Sequence, residues 1–397
     1  MSFDQKQFSE QLHQLVATPS VSCTNPALDM GNREVIDLLA NWLGDMGFSI
    51  EIQVVSESPA KANLIATLGS HADHASKDNE AKSNTSKGGL VFSGHADTVP
   101  YDDKCWSHDP FSLHIENDRA FGLGATDMKG FFPTVIAAVQ PYLEQTLKEP
   151  IIILATADEE TSMSGARALM NHPIPKARHA IIGEPTSMQP IRMHKGIAME
   201  SIHVKGQSGH SSNPNLGNNA LDVMHDVITD LKHFRKKLQQ HKHPGFLIQT
   251  PTLNLGCIHG GDNPNRICGH CELEFDIRPI PGMSLDDLRQ DIDQQLDRIA
   301  EKNHILIERH SLFSGIDPFE QSANSSLVTA VEELTGINAD SVAFATEAPF
   351  LQKMGMDVIV MGPGSIDQAH QPDEYIDLKQ IPAAIKTLQG LIDKFCL

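Results

Sequence analysis

The chain has 397 residues, 40% hydrophobic and 21% charged, and carries 31 Lys and Arg against 51 Asp and Glu, a net charge of −20. That length accommodates two globular domains with their own cores, while so acidic a balance argues against nucleic acid or an anionic membrane as partner. The six cysteines are scattered rather than framework-like, which fits reduced thiols in a cytosol.

The N-terminal stretch is polar. It reads as an amphipathic helix over 5–17 with Phe8, Leu12, Leu15 and Val16 inward, not as a signal peptide. The longest apolar runs, such as Ile151–Ala155, are far too short to span a bilayer. A cytoplasmic setting and a small-molecule substrate are therefore expected. A second helix is predicted over 31–47, then strands over 49–56 and 62–68. Residues 70–89 hold almost no large apolar side chains and read as a mobile loop. His71 and His74 lie there as solvated residues.

Leu90-Val91-Phe92 is a short buried strand that runs into a polar elbow carrying His95 and Asp97. At i and i+2 these two side chains point the same way in extended backbone. A metal-binding His with a carboxylate behind it fits, and so does a strand-end loop with a solvated His. The next elbow is Gly-rich: GLGATDMKG delivers Asp127 ahead of a helix from about Gly130, where an ordinary N-cap Asp is the alternative. It lacks dinucleotide and P-loop spacing. The apolar strand Ile151–Ala157 ends in Asp158-Glu159-Glu160, three mutually repelling acids that are either solvated or neutralised by cations. Ala180–Ile182 ends in Glu184, and DVIVM is followed by His370. Repeated buried strands with helices between them predict an α/β fold with a mostly parallel sheet, helices on both faces, and ligands at the carboxyl ends of the strands.

From about Ile191 the texture changes. Strands over 196–206, 250–258, 266–278 and 304–310, with helices over 217–240 and 284–301, follow the β-α-β-β-α-β order of a ferredoxin-like α+β domain. The expected division is 1–188, an insertion at 189–311, and a return at 312–397, with a helix at 322–335, a strand at 357–361 and a helix at 379–394. Cys268 and Cys271 form a CxxC in an alternating strand, where residues three apart face opposite sides, so a shared metal is not expected. Two His and several carboxylates are a plausible set for two zinc-class ions, with one acid left free to move protons.

In that order and spacing, SGHADTVP, GATDMKG, Asp158-Glu159-Glu160, GEPT and AHQPDE resemble the M20 family of dinuclear zinc peptidases and deacylases. The resemblance covers nearly the whole chain, insertion included. It implies two divalent ions, zinc or cobalt. His95 and Glu184 would hold one, Glu160 and His370 the other, and Asp127 would bridge them. Glu159 would be the general acid/base and Asp97 would orient His95. The insertion resembles the family's lid and dimerisation domain, which implies a homodimer. In it His210, in SGHSSNP, would reach the partner subunit's site and steady the oxyanion. Asn265 and Arg278 match family substrate contacts, Arg278 for the α-carboxylate. Glu347 is assigned to the substrate's side-chain ammonium only from its place in TEAP. RMHKG, ATEAP and GSIDQAHQPDEYI look most like members that deacetylate N2-acetyl-L-ornithine. Another N-acyl-amino-acid deacylase or dipeptidase, and a homologue that binds metal without catalysis, are the alternatives. The loop at 70–89 is longer than the family leads one to expect, and Cys105 stands where a small or polar residue is expected.

Overall fold

Four apolar runs that alternate poorly between polar and apolar residues can be buried only on both faces, and they form the centre of a sheet. In the computed structural model, which describes residues 3–69, 88–175 and 177–397, the strands Ile151–Thr156, Leu90–His95, His179–Pro185 and Asp357–Gly362 lie side by side in that order, all parallel. Register pairs His95 with Thr156 and Phe92 with Ile181. Outside Ile151–Thr156 the hairpin Ser49–Glu57 and Ala60–Leu68 adds two antiparallel strands. The parallel expectation therefore holds for the centre, while the edge is antiparallel because a two-residue connection cannot join parallel strands. His71 and His74, with the polar segment 70–87 around them, lie outside the described residues.

The chain divides into two units, Met1–Arg192 with Gln321–Asp340 and Glu347–Leu397, and Met193–Glu320 with Ser341–Thr346. The second unit thus continues past residue 311, where the sequence placed its end. Ile197 and Ile316 exchange backbone hydrogen bonds of 2.9 and 2.8 Å, which ties the returning segment to the unit's first strand.

In the first unit, helix Gln5–Val16 is capped by Asp4, whose carboxylate accepts from the amides of Lys6 and Gln7 at 3.0 and 3.1 Å. Phe8, Leu12, Leu15 and Val16 are buried, the stripe expected from their spacing. They join Phe131, Phe132, Leu388 and Phe92 in one core. The buried Lys129 donates to the carbonyls of Leu15 (2.9 Å) and Thr18 (2.8 Å), at the end of that helix. A small antiparallel sheet of His114–Glu116, Arg119–Phe121 and Tyr375–Asp377 pairs Tyr375 with Phe121. That sheet carries residues 370–374 to the turn Ala125–Lys129, a juxtaposition no local pattern announces.

The second unit runs strand Ala198–Lys205, helix Ala220–Leu238, strands Thr252–Gly260 and His270–Arg278, helix Leu285–Asn303 and strand Leu306–Ser311. Its sheet is wholly antiparallel, with the first and third strands central, as in a ferredoxin-like fold. Both helices pack on one face, over Ile202, Val204, Leu273 and Phe275. Cys268 and Cys271 are both in this core. Cys268 precedes the strand, which begins at His270, so the opposite-face argument does not apply to it; its thiol donates to the His270 carbonyl at 3.0 Å. Among the described residues no helix is long and apolar enough to cross a membrane.

Leu12 is fully buried. Leu12→Ala is expected to destabilise the first unit by about 2–5 kcal/mol, read as a lowered denaturant midpoint with unchanged slope.

Candidate metal centre and active site

Strand exits position the polar residues. His95 is the last residue of Leu90–His95, and Asp97 follows two positions on. Asp158, Glu159 and Glu160 follow Ile151–Thr156, and Glu184 lies at the end of His179–Pro185. Because these strands are parallel neighbours, their carboxyl ends share one edge. Asp127 reaches that edge from Ala125–Lys129, a turn entered through Gly124 at φ 78°, a backbone angle suited to glycine. His370 arrives from beyond Asp357–Gly362.

Asp127 stands between two imidazoles. Its Oδ1 is 3.0 Å from His95 Nε2, and its Oδ2 is 3.5 Å from His370 Nε2. His370 Nε2 is also 3.1 Å from Glu160 Oε2. His95, Asp127 and Glu160 offer ligand atoms within 4.8 Å of one another, and so do His95, Glu159 and Glu184. Distance alone groups Glu159 with the candidate ligands.

His95 Nδ1 lies 3.0 Å from the backbone carbonyl of Asp97. A carbonyl can only accept, so Nδ1 carries the proton and Nε2 is left for Asp127 or a metal. The Asp97 carboxylate is farther from that nitrogen, at 3.7 Å. It accepts instead from the amides of Glu159 (3.2 Å) and Glu160 (3.1 Å), and so holds the acidic elbow as well as standing behind the ring.

The electrostatics describe an excess of negative charge in a dry place. Burial first, then the charge of Glu184, raises Glu159 well above the usual carboxylate range. Burial and Asp127 do the same to Glu184. Burial lifts Asp97 to about 6 and Glu347 to about 7. Burial opposes charge on His95, yet its hydrogen bond to Asp127 and the surrounding acids hold it well above the usual imidazole value. Hydrogen bonds to Asp127 and Glu160 raise His370 to about 10. Asp127 is pushed down: burial resists its charge, but both imidazoles outweigh that. Carboxylates in such numbers, paired with two imidazoles and, among the described residues, with no Lys or Arg at the centre, are suited to divalent cations. Imidazole nitrogen with carboxylate oxygen fits a zinc-class ion.

Two supporting groups had no role assigned from sequence. Glu374 is buried and accepts from the amides of Gly124 (2.9 Å), Thr126 (2.8 Å) and Asp127 (3.0 Å), fixing the turn that presents Asp127. Burial and Asp127 raise Glu374 to about 8, against the pull of those three amides. Lys61 donates to Asp29 at 2.8 Å and to Asp158 at 2.6 Å, and Asp158 also accepts from Ser22 (2.9 Å) and Ser164 (2.8 Å). A Lys interrupting the buried strand Ala60–Leu68 was the available signal.

Glu347 is buried in the first unit, and its Oε1 has no hydrogen-bond partner among the described residues. His210, Asn265 and Arg278 belong to the second unit. His210 Nδ1 accepts from the amide and hydroxyl of Ser212, at 3.2 and 2.8 Å, so its Nε2 carries the proton. His210, Asn265, Arg266, Ser208 and Gly209 line a hollow of about 350 Å³. Arg278 Nε is held by Asp276, at 2.9 and 3.2 Å from its two oxygens.

The sequence profile of peptidase family M20/M25/M40 matches residues 91–394. An acetylornithine deacetylase of Photorhabdus laumondii is 45% identical over 391 residues, covering 98% of this chain and 97% of that protein. One from Proteus mirabilis gives the same identity and coverage. Among solved structures, aminopeptidase PepT from Bacillus cereus superposes with a TM-score of 0.74 at 16% identity, covering 99% of each chain, a likeness of fold.

Glu374→Gln puts an amide NH2 among three N–H donors. It is expected to weaken metal affinity about 10–100-fold, measured as metal content after dialysis at fixed free zinc. Metal ligands must be deprotonated, whereas the metal-free site holds His95 and His370 protonated at neutral pH. Binding therefore releases protons and affinity rises with pH. Calorimetric titration at pH 7 in buffers of different ionisation enthalpy should show net release; proton uptake would contradict these shifts.

Proposed function

We propose, on the premise that the chain belongs to peptidase family M20/M25/M40, that it hydrolyses the amide of N2-acetyl-L-ornithine to L-ornithine and acetate, a step of arginine biosynthesis in the cytoplasm. The chain is a metal-dependent hydrolase. Its relatives at 45% identity over nearly their whole length are acetylornithine deacetylases, which supports the substrate. The observation that carries the chemistry is the two-sided Asp127 carboxylate, with His95 on one oxygen and His370 on the other.

His95 and Glu184 would hold one ion, Glu160 and His370 a second, and Asp127 both; zinc or cobalt suits these donors. When bound, such a pair polarises the acyl carbonyl and lowers the pKa of the attacking water. Glu159 takes the proton from that water and delivers it to the departing α-nitrogen. Its raised pKa, from burial and Glu184, suits a group that must accept a proton and then give it up. Asp97 keeps His95 and the amides of Glu159 and Glu160 in place. Arg278 receives the α-carboxylate and Asn265 assists. Glu347, a buried acid with one oxygen unpartnered among the described residues, receives the side-chain ammonium. Two copies associate through the inserted unit, and His210 of the partner subunit donates its Nε2–H to the oxyanion.

The testing experiment is kcat/KM on N2-acetylornithine beside a panel of N-acyl amino acids, N-succinyl-diaminopimelate and dipeptides, with and without added zinc or cobalt. N2-acetylornithine should be preferred at least about tenfold, or 1.4 kcal/mol; a faster panel member would replace it as substrate. Glu159→Ala should keep its metal and lose about 10²–10⁴ in kcat. Turnover within tenfold of the parent would remove Glu159 from its role.

A further inference from the structure

We propose that the helix-free face of the four-stranded sheet in the second unit carries a site for a borderline divalent transition-metal ion such as zinc, made by His203, His270 and Glu272.

Strand alternation creates the site. Ile202 and Val204, with Cys271 and Leu273, turn into the helix-covered core. His203, His270 and Glu272 therefore project from the opposite face. Register sets His203 directly across from Glu272 on one neighbour and from Glu308 on the other. His270 stands two residues before Glu272, and His310 two residues after Glu308, so three imidazoles gather diagonally across three strands. The His203 and His270 ring centroids are 5.7 Å apart, and those of His203 and His310 are 4.8 Å apart.

The spacing meets a coordination requirement. Tetrahedral zinc with bonds of about 2.1 Å sets its ligand atoms roughly 3.4 Å apart. His203 Nε2 and Glu272 Oε1 are 3.2 Å apart, and one atom each of His203, His270 and Glu272 lies within 4.8 Å of the others. His270 is exposed, which leaves its side chain room to change rotamer. Ser201 donates to Glu272 at 3.0 Å, the kind of outer hydrogen bond that fixes a ligating carboxylate. A cross-strand His–Glu ion pair accounts for His203 and Glu272 but gives no reason for a second imidazole at ligand distance. Two imidazoles and a carboxylate favour zinc, nickel or copper over magnesium or calcium. The ion would clip strand Ala198–Lys205 to strand His270–Arg278, stiffening the sheet from its uncovered side.

Zinc is the probe, on the full-length protein. Parent and H203A/H270A are dialysed against the same series of buffered free-zinc concentrations, and metal per chain is measured by elemental analysis. The parent should reach one more equivalent than the variant, whose affinity for that equivalent falls at least tenfold, while their kcat/KM values agree. The zinc-induced rise in melting temperature should be smaller in the variant. Equal metal content across the series overturns the proposal. Should the double variant fail to fold, His270→Gln, at an exposed strand position, decides on the same readout. Because the comparison is of metal counts, it stands whether or not N2-acetylornithine is the substrate.

Discussion

Like charges confined in a medium that solvates them poorly repel strongly, and Asp97, Asp127, Glu184 and Glu347 are all buried at one sheet edge, with Glu159 and Glu160 beside them. Asp127 is spared: both of its oxygens face an imidazole, and its acidity is increased rather than suppressed. Asp97, Glu159, Glu184 and Glu347 are forced towards protonation, by burial first and then by neighbouring acids. A protein that keeps such a cluster is built for compensating positive charge, and among the described residues no Lys or Arg side chain supplies it at the centre. The apolar strands Leu90–His95 and Ile151–Thr156 contribute indirectly, since their burial excludes the water that would otherwise relieve the repulsion.

Around this centre, carboxylates serve a second purpose, which is to hold backbone. Asp97 takes two amides of the acidic elbow and Glu374 takes three amides of the turn that carries Asp127. Asp158 is tied by Lys61, Ser22 and Ser164 at a left-handed backbone angle of 57°. A metal site tolerates little displacement of its ligands, and hydrogen-bonded backbone is stiffer than a free loop. Glu159, the proposed general acid/base, thus directly follows Asp158, an acid that is anchored by Lys61, Ser22 and Ser164.

The second unit separates its functions by face. Helices Ala220–Leu238 and Leu285–Asn303 cover one side of its sheet with an apolar core, and the other side carries His, Glu, Lys and Ser. The proposed substrate contacts His210, Asn265 and Arg278 come from loops and a strand end of this unit.

The sequence by itself determined the apolar strands, the acids and imidazoles at their exits, the ferredoxin-like order of the insertion and the family likeness. Each of these is carried by a local period or a short ordered motif. Only the tertiary structure decided which polar atoms meet. Glu374 lies some 250 residues from the amides it accepts, and Lys61 lies 97 from Asp158, separations at which no spacing rule links partners. The same holds for the small sheet that joins Arg119–Phe121 to Tyr375–Asp377 and for the reach of the second unit to Glu320. Whether Asp97 steadies its neighbour by carbonyl or by carboxylate was likewise a matter of ångströms, because backbone and side chain of one residue compete for the same ring and only folding in three dimensions fixes which is nearer.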